Sequence, residues 1–155
     1  MSEIRIIQWE DRLAQAFIDL SVEWLEKYVS VEPADLEILN HPHEAILDRG
    51  GMVFFAMDGE APVGTVAMIP AANDDMELAK LAVTEAYKGM GISHMLMRAA
   101  LAYAQEREVR QIILYTNRKL IPAIRLYEKY GFLDVPLKYN KYLESDMMMS
   151  KRLAD

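Results

Sequence analysis

The chain has 155 residues, 52% of them hydrophobic and 26% charged, which predicts one soluble domain, residues 1–155, large enough to bury a core. Its formal net charge of −7 argues against a general nucleic-acid binder, and the absence of cysteine excludes disulfides, thiol catalysis and cysteine-based zinc sites. No apolar run reaches the roughly 20 residues that span a bilayer and the N-terminus lacks the apolar core of a signal peptide, so we expect a cytoplasmic protein without a membrane partner.

In the first half of the chain, one predicted strand comes first, helices follow, and a hairpin and a further strand come last. In chain order, the predicted elements are a strand at 4–8, a helix at 11–30, two short helical pieces between Pro33 and Gly51, a hairpin at 52–70 and a strand at 76–83. Pro33 marks a helix start because proline suits the first helical position. The hairpin is predicted because two β-rich runs flank the polar sequence Asp-Gly-Glu-Ala.

The second half alternates helix and strand. The predicted elements are a helix at 92–108, a buried strand at 111–116, a helix at 121–132 that Gly131 ends, and a last strand at 145–153. This order predicts an α/β (α+β) fold in which helices flank a mixed sheet.

Two glycines one residue apart, Gly89 and Gly91, stand directly before the long helix. A dinucleotide fingerprint would need a third glycine where His94 stands, and no phosphate-loop pattern matches. Two interpretations remain open from the residues alone. The backbone N–H groups at this helix start could bind a phosphate, or the glycines could simply form a turn.

The surrounding motifs decide between these interpretations. The pattern V-x-x-x-Y-x-G-x-G from Val83 to Gly91, followed by L-Y-x-x-x-G-F from Leu126 to Phe132, resembles the GNAT superfamily of acyl-CoA-dependent N-acyltransferases. The resemblance covers 52–132 in family order, and the N-terminal helices and last strand fit it more loosely. Residues 31–42 and 50–56 are also similar to the acetyltransferase half of bacterial MarR-type regulator fusions, although we expect no DNA-binding domain in this sequence.

The resemblance implies how acetyl-CoA is bound and coenzyme A released. The implied cofactor-binding residues are Leu81, Ala82, Val83, Lys88, Gly89, Met90, Gly91, Ile92, Ser93, His94 and Asn117. Amides of 89–94 would hold the pyrophosphate, and the backbone of 81–83 would pair with pantetheine where the sheet splays after the strand that ends at Val83. The family's loop usually begins with arginine or glutamine and ends with glycine or alanine, so Lys88 and Ser93 depart from it.

The histidines of the chain show no metal-ligand spacing that also has a carboxylate partner, so we expect no metal site. The resemblance implies two catalytic residues. Glu77 stands where family members carry a glutamate base; otherwise it is an exposed carboxylate at a strand start. Period-two alternation predicts that Glu77 shares a face with Ala79, Leu81 and Val83. Tyr127 matches the tyrosine beside the coenzyme A sulfur, where it would protonate the leaving thiolate; otherwise it is a core residue.

Asn117 matches an asparagine near the pantetheine arm and could also be a helix N-cap. Tyr139 and Tyr142 lie in a segment that adjoins the family's acceptor pocket.

These residues together predict transfer of an acetyl group to a small-molecule or peptide amine, by direct attack in a ternary complex. The rival interpretation is a non-catalytic acyl-CoA-binding sensor or interaction module. The departures at Lys88 and Ser93 leave room for that rival, whereas the presence of both Glu77 and Tyr127 argues against it. The acidic balance favours a cationic acceptor, and the family resemblance implies a possible homodimer.

Overall fold

A seven-stranded mixed sheet forms the centre of the computed structural model, which describes residues 3–153. The strands are β1 (Ile4–Gln8), β2 (Met52–Asp58), β3 (Ala61–Pro70), β4 (Met76–Val83), β5 (Gln111–Thr116), β6 (Leu133–Val135) and β7 (Met147–Arg152). The helices are α1 (Ala14–Tyr28), α2 (Pro33–Leu39), α3 (Pro42–Ala45), α4 (Ile92–Glu106) and α5 (Ile121–Lys129). The predicted fold class is therefore confirmed.

The sheet has the order β1-β2-β3-β4-β5-β7-β6, and β4 and β5 are its only parallel neighbours among the described strands. These two strands pair only at Met76 with Ile112 and at Glu77 with Ile113. Beyond Glu77 they separate, so the sheet opens beside the strand that ends at Val83, as predicted. The opening leaves this edge of β4 unpaired, because no strand within residues 3–153 pairs with it beyond Glu77.

A bulge at Lys80 interrupts β4. Lys80 has a φ of 57°, and the register against β3 shifts between Thr65 and Ala67. An extra residue in one strand reverses the faces of the residues that follow. Leu81 therefore packs in the same core cluster as Leu78, so the predicted uniform alternation from Glu77 to Val83 is wrong beyond Lys80.

Helices cover both faces of the sheet and bury two apolar clusters. One cluster joins the sheet to α4 and α5, with Leu96, Ala100 and Tyr103 on the inward side of α4. The other joins the opposite face to α1 and α2, with Phe17 and Leu39 nearly inaccessible. The apolar residues of α1 and α4 recur at helical spacing, and that periodicity accounts for both buried faces.

Most element boundaries agree with the sequence prediction to within two residues at each end. The helix predicted at 11–30 is a short 3-10 turn followed by α1, and α4 ends at Glu106 rather than at residue 108. Strand β6 was not predicted, because it has only three residues, which are too few to show an alternation of apolar and polar side chains. None of the helices within residues 3–153 is long and apolar enough to cross a membrane.

Candidate active site

Glu77 is a buried carboxylate near the start of β4, where β4 and β5 begin to separate. Only 4% of the residue is exposed. Its Oε1 accepts a bond of 2.6 Å from Lys141 Nζ, and its Oε2 accepts one of 3.0 Å from the Tyr142 hydroxyl. A buried carboxylate requires such partners, since desolvation without them is costly. The interpretation of Glu77 as an exposed strand-start residue is therefore wrong.

The partners of Glu77 come from residues 136–146, the connection between β6 and β7, which we call the strap. The strap is fixed to the body of the protein through its backbone. Glu32 accepts hydrogen bonds from the amides of Leu143 and Glu144 at 2.6 and 2.9 Å. The Tyr115 hydroxyl donates to the carbonyl of Lys138 at 2.8 Å. These bonds hold Tyr142 over the site.

A buried ion pair lies beside Glu77. Lys80 and Asp35 bond to each other, and their side chains are only 5% and 4% exposed. The bulge at Lys80 turns this ammonium toward α2. The Tyr142 ring lies near two cations, with Lys80 Nζ 5.1 Å and Lys141 Nζ 5.3 Å from its centroid.

The tyrosines around Glu77 are held in their neutral form. Burial, followed by the negative charge of Glu77, raises the pKa of Tyr142 far above its ordinary value. The same two causes, in the same order, raise the pKa of Tyr115. Both hydroxyls therefore stay protonated at working pH and act as hydrogen-bond donors to the groups they face.

Glu77 forms the common wall of two cavities. The first, which we call the cleft, has a volume of about 110 Å³ and lies where β4 and β5 separate. Its walls include 77–82 of β4, 115–117 at the end of β5, and parts of α1, α2 and the strap. The cleft is narrow, and its open strand edge suits an extended chain that carries amide groups.

Ser21 of α1 lines the cleft and has no hydrogen-bond partner within the described residues. It is 2% exposed, and its Oγ is the unsatisfied buried atom. A buried hydroxyl without a partner costs free energy. The cleft wall therefore has spare capacity to bind a polar ligand group.

Tyr127 of α5 also lines the cleft, with its ring 6.1 Å from that of Phe132. No hydrogen bond within residues 3–153 uses its hydroxyl. Burial raises the pKa of Tyr127 to about 12. The hydroxyl is thus a neutral donor in a cavity wall that also contains Glu77.

The second cavity, which we call the basin, lies on the other side of Glu77 and has a volume of about 570 Å³. Lys141 lines the basin, and Tyr139 lies at its edge, 83% exposed. Ligand cavities that bind small molecules usually have volumes of about 300 to 1,000 Å³. The basin is large enough for such a molecule, whereas the cleft is not.

The glycine loop lies at the start of α4, outside the walls of both cavities. Gly89 and Gly91 have φ of 79° and 78°, and a Cβ at either position would meet no atom within 4 Å. The helix begins at Ile92, so the amides of its first turn, including Ser93 and His94, have no intrahelical acceptor. Open space beside unpaired amides fits a pyrophosphate.

The side chains of this loop are partly engaged elsewhere. Lys88 donates to the Tyr28 hydroxyl and lies 3.3 Å from Glu85, and the bond to Lys88 lowers the pKa of Tyr28. His94 Nδ1 lies 2.9 Å from the Tyr130 hydroxyl, which joins α4 to α5.

Asn117 lies in the cleft wall and tethers the strap. Its Nδ2 donates to the carbonyl of Glu144 at 2.6 Å, and its Oδ1 accepts from the amide of Lys119 at 2.9 Å. The residue that precedes α5 is Leu120, so the interpretation of Asn117 as a helix N-cap is wrong.

Most of the groups that surround Glu77 could not be predicted from local sequence patterns. Lys141 lies 64 residues further along the chain, and Asp35 lies 45 residues before Lys80. No local spacing connects them. Tyr142 was identified only as a candidate for the acceptor pocket, through the family resemblance of its segment.

Comparisons with known proteins identify the family of the chain. Residues 9–132 match the model of the acetyltransferase (GNAT) family. N-acetyltransferase 8B of Rattus norvegicus is 33% identical over 90 residues, which cover 55% of this chain and 40% of that protein. Mycothiol acetyltransferase of Corynebacterium glutamicum is 32% identical over 80 residues, which cover 52% of this chain and 27% of that protein. The chain thus spans less than half the length of these curated relatives.

Solved structures share the whole fold. A GNAT-family acetyltransferase of Staphylococcus aureus superimposes with a TM-score of 0.87 at 21% identity, covering 97% of this chain and 99% of that one. The PaiA N-acetyltransferase of Thermoplasma acidophilum, solved in complex with coenzyme A, superimposes with a TM-score of 0.74 at 16% identity, covering 97% and 99%.

Proposed function

The chain belongs to the acetyltransferase (GNAT) family, and from that premise we propose that it transfers an acetyl group from acetyl-CoA to a primary amine of a small molecule. In this proposal residues 1–155 act as one domain, and the amine attacks the thioester directly in a ternary complex. The observation that carries the proposal is the position of Glu77, a buried carboxylate shared by a narrow cleft and a larger basin. The acetyl end of the donor enters the cleft, the rest of acetyl-CoA lies outside it along the edge of β4 and the glycine loop, and the acceptor lies in the basin.

The donor is held by backbone groups. The amides of 89–94 bind the pyrophosphate, because glycines at 89 and 91 leave room for its approach and the start of α4 supplies unpaired N–H groups. The edge of β4, including Leu81, Ala82 and Val83, pairs with the amides of pantetheine, because β5 has left that edge free. Lys88 adds positive charge at the loop, and a phosphate competes there with Glu85.

Glu77 accepts the proton of the attacking ammonium. A general base must lie within about 2.6 to 3.2 Å of the proton donor, and Lys141 Nζ already lies 2.6 Å from Glu77. Lys141 therefore marks the place that the acceptor ammonium takes. The Lys141 side chain is 42% exposed, so it can turn to solvent when the acceptor binds.

Tyr127 donates a proton to the departing thiolate. With a pKa of about 12, transfer to a thiolate of pKa about 8.5 in water would be uphill by about 5 kcal/mol. A thiolate released in the same cleft loses hydration too, which raises its own proton affinity and reduces this difference.

A second candidate function is an acyl-CoA-binding sensor or interaction module without turnover. The observation that favours it is the strap, which covers Glu77 with Lys141 and Tyr142. The likeness of 31–42 and 50–56 to regulator fusions also stays a proposal.

Two measurements on one preparation test the proposal. Acetyl-CoA should raise the melting temperature with increasing concentration, as mass action requires, and a pool of amines should release free thiol from it. Gly91→Val should abolish the donor-dependent shift, because the side chain occupies the pyrophosphate position. Gly59→Val is the matched control, since its φ of 60° imposes similar strain in a hairpin turn.

The outcomes separate the candidates. No thermal shift at millimolar acetyl-CoA would contradict both functions, whereas a shift without thiol release for any amine would favour the sensor.

A further inference from the structure

The basin has an excess of positive charge in a protein whose overall charge is −7. Its charged lining residues are the cations Arg49, Arg110, Lys138 and Lys141 and the carboxylates Asp75 and Glu77. Two positive charges therefore exceed the negative ones. This local excess is opposite in sign to the whole chain.

The ion pairs show which cations are uncompensated. Arg110 bonds to both oxygens of Asp75 at 3.1 and 3.3 Å, and Lys141 pairs with Glu77. Arg49 and Lys138 have no ion pair within residues 3–153. Both residues are exposed, so a ligand in the basin can contact their charged groups directly.

Binding of an acceptor increases the excess. Once an acceptor ammonium replaces Lys141 at Glu77, Lys141 also loses its carboxylate partner. A simple amine then leaves three uncompensated cations around the basin, because its own positive charge is paired with Glu77. An acceptor that carries an anionic group as well as its amine neutralises part of this charge.

We infer that the acceptor is a small amine with an anionic group, a carboxylate or a phosphate, which Arg49, Lys138 and the displaced Lys141 bind while its ammonium lies at Glu77. This inference rests on the proposed acetyl transfer. Glu77 takes one proton from the ammonium, and the amine nitrogen then forms a bond to the acetyl carbon as the carbon–sulfur bond breaks. The departing thiolate takes a proton from Tyr127, and the second proton that the nitrogen loses passes through solvent to restore Tyr127. The anionic group takes no part in the chemistry and only orients the acceptor.

The experiment compares matched amines in the thiol-release assay. Glycine, β-alanine and γ-aminobutyrate are each compared with the alkylamine of equal chain length, and phosphoethanolamine is compared with ethanolamine. The member with the anionic group should have a kcat/KM higher by about tenfold or more, the low end of what one charge-assisted hydrogen bond supplies. The advantage should shrink as salt rises, because the basin is open to solvent. The series of chain lengths and the phosphate pair identify which anion and spacing the basin prefers.

The double variant Arg49→Gln/Lys138→Gln should abolish most of the preference while leaving kcat for the plain alkylamine unchanged. The control is Arg125→Gln/Lys129→Gln, which removes the same charge from exposed positions of α5 that line neither cavity. The control should keep the preference.

Each other outcome has a defined meaning. Equal or better turnover of the plain amines, or of a peptide with an amidated end, would overturn the inference and leave acetyl transfer standing. A preference for anionic acceptors that survives in the double variant would overturn the assignment to Arg49 and Lys138. No turnover of any amine despite donor binding would instead contradict the proposed function, and the inference with it.

Discussion

The cleft and the basin share Glu77 but differ in the burial and pairing of their charged side chains. In the cleft wall the Lys80–Asp35 pair is at least 95% buried on both sides. In the basin the cations are exposed, and two of the four have no ion-pair partner within the described residues. Buried pairs fix a geometry, since removing one partner leaves an uncompensated charge, whereas exposed charges contribute little until a ligand meets them. In the proposed function, the cleft is therefore a rigid site for the donor and the basin an adaptable site for the acceptor.

The largest effect is expected at the wall that both cavities share. Glu77→Gln should lower kcat by about 100- to 10,000-fold, because proton acceptance is lost while the shape remains. The loss should shrink as pH rises, since more of the acceptor amine then arrives unprotonated. The measurement is kcat against pH with melting temperature, and Glu37→Gln on the exposed side of α2 is the control. A normal kcat at neutral pH would assign the base role to another group or to solvent.

The second effect separates the rigid site from the adaptable one. Lys80→Met leaves the Asp35 carboxylate buried without its cation, which should lower the free energy of unfolding by about 3 to 5 kcal/mol. Lys138→Met in the basin should change it by less than about 0.5 kcal/mol, as is usual for exposed positions. Urea denaturation of the two variants measures the difference. Equal losses would break the distinction between the two cavities.

The third effect concerns the cleft alone. Tyr127→Phe should lower kcat by about 100-fold, the lower end of the usual range for proton-transfer catalysis, with little change in stability because the ring remains. Since burial raises the pKa of Tyr127 to about 12, its deprotonation should not limit activity at neutral or mildly alkaline pH. Tyr130→Phe, at the residue that follows α5, is the control and loses only its bond to His94. Equal turnover in wild type and Tyr127→Phe would remove the catalytic role.

The smallest effect is expected for Ser21→Ala, which should preserve or increase stability but weaken the binding of acetyl-CoA. Ser21→Ala removes a buried hydroxyl that has no partner in the described residues, so the free energy of unfolding should stay the same or rise by about 1 kcal/mol. Affinity for acetyl-CoA should fall several-fold, because Ser21 lines the cleft and its hydroxyl is available to bond to a donor group. Calorimetric titration and thermal unfolding measure the two quantities. A variant that binds acetyl-CoA as well as the wild type would show that the donor does not reach Ser21.

Local chemistry made most of the fold predictable. Helices α1 and α4 follow from apolar residues at helical spacing, Pro122 and Gly131 bound α5, and the hairpin follows from its turn residues. The bulge at Lys80 was not predictable in this way. The alternation of apolar and polar residues in a short strand does not reveal that one residue has a left-handed backbone. That one residue changes which side chains of β4 face the cleft.

The sequence by itself determined the fold class, the family resemblance and the candidate pair Glu77 and Tyr127, because each depends on residues that are close in the chain. Only the tertiary structure decided what surrounds Glu77, since Lys141, Tyr142 and Glu32 reach it or its strap from segments far apart in the sequence. The charge of the basin is the clearest case. The acidic composition favours a cationic acceptor, yet folding gathers Arg49, Arg110, Lys138 and Lys141 around one cavity. A ligand responds to the charges within a Debye length of its site and not to the sum over the chain.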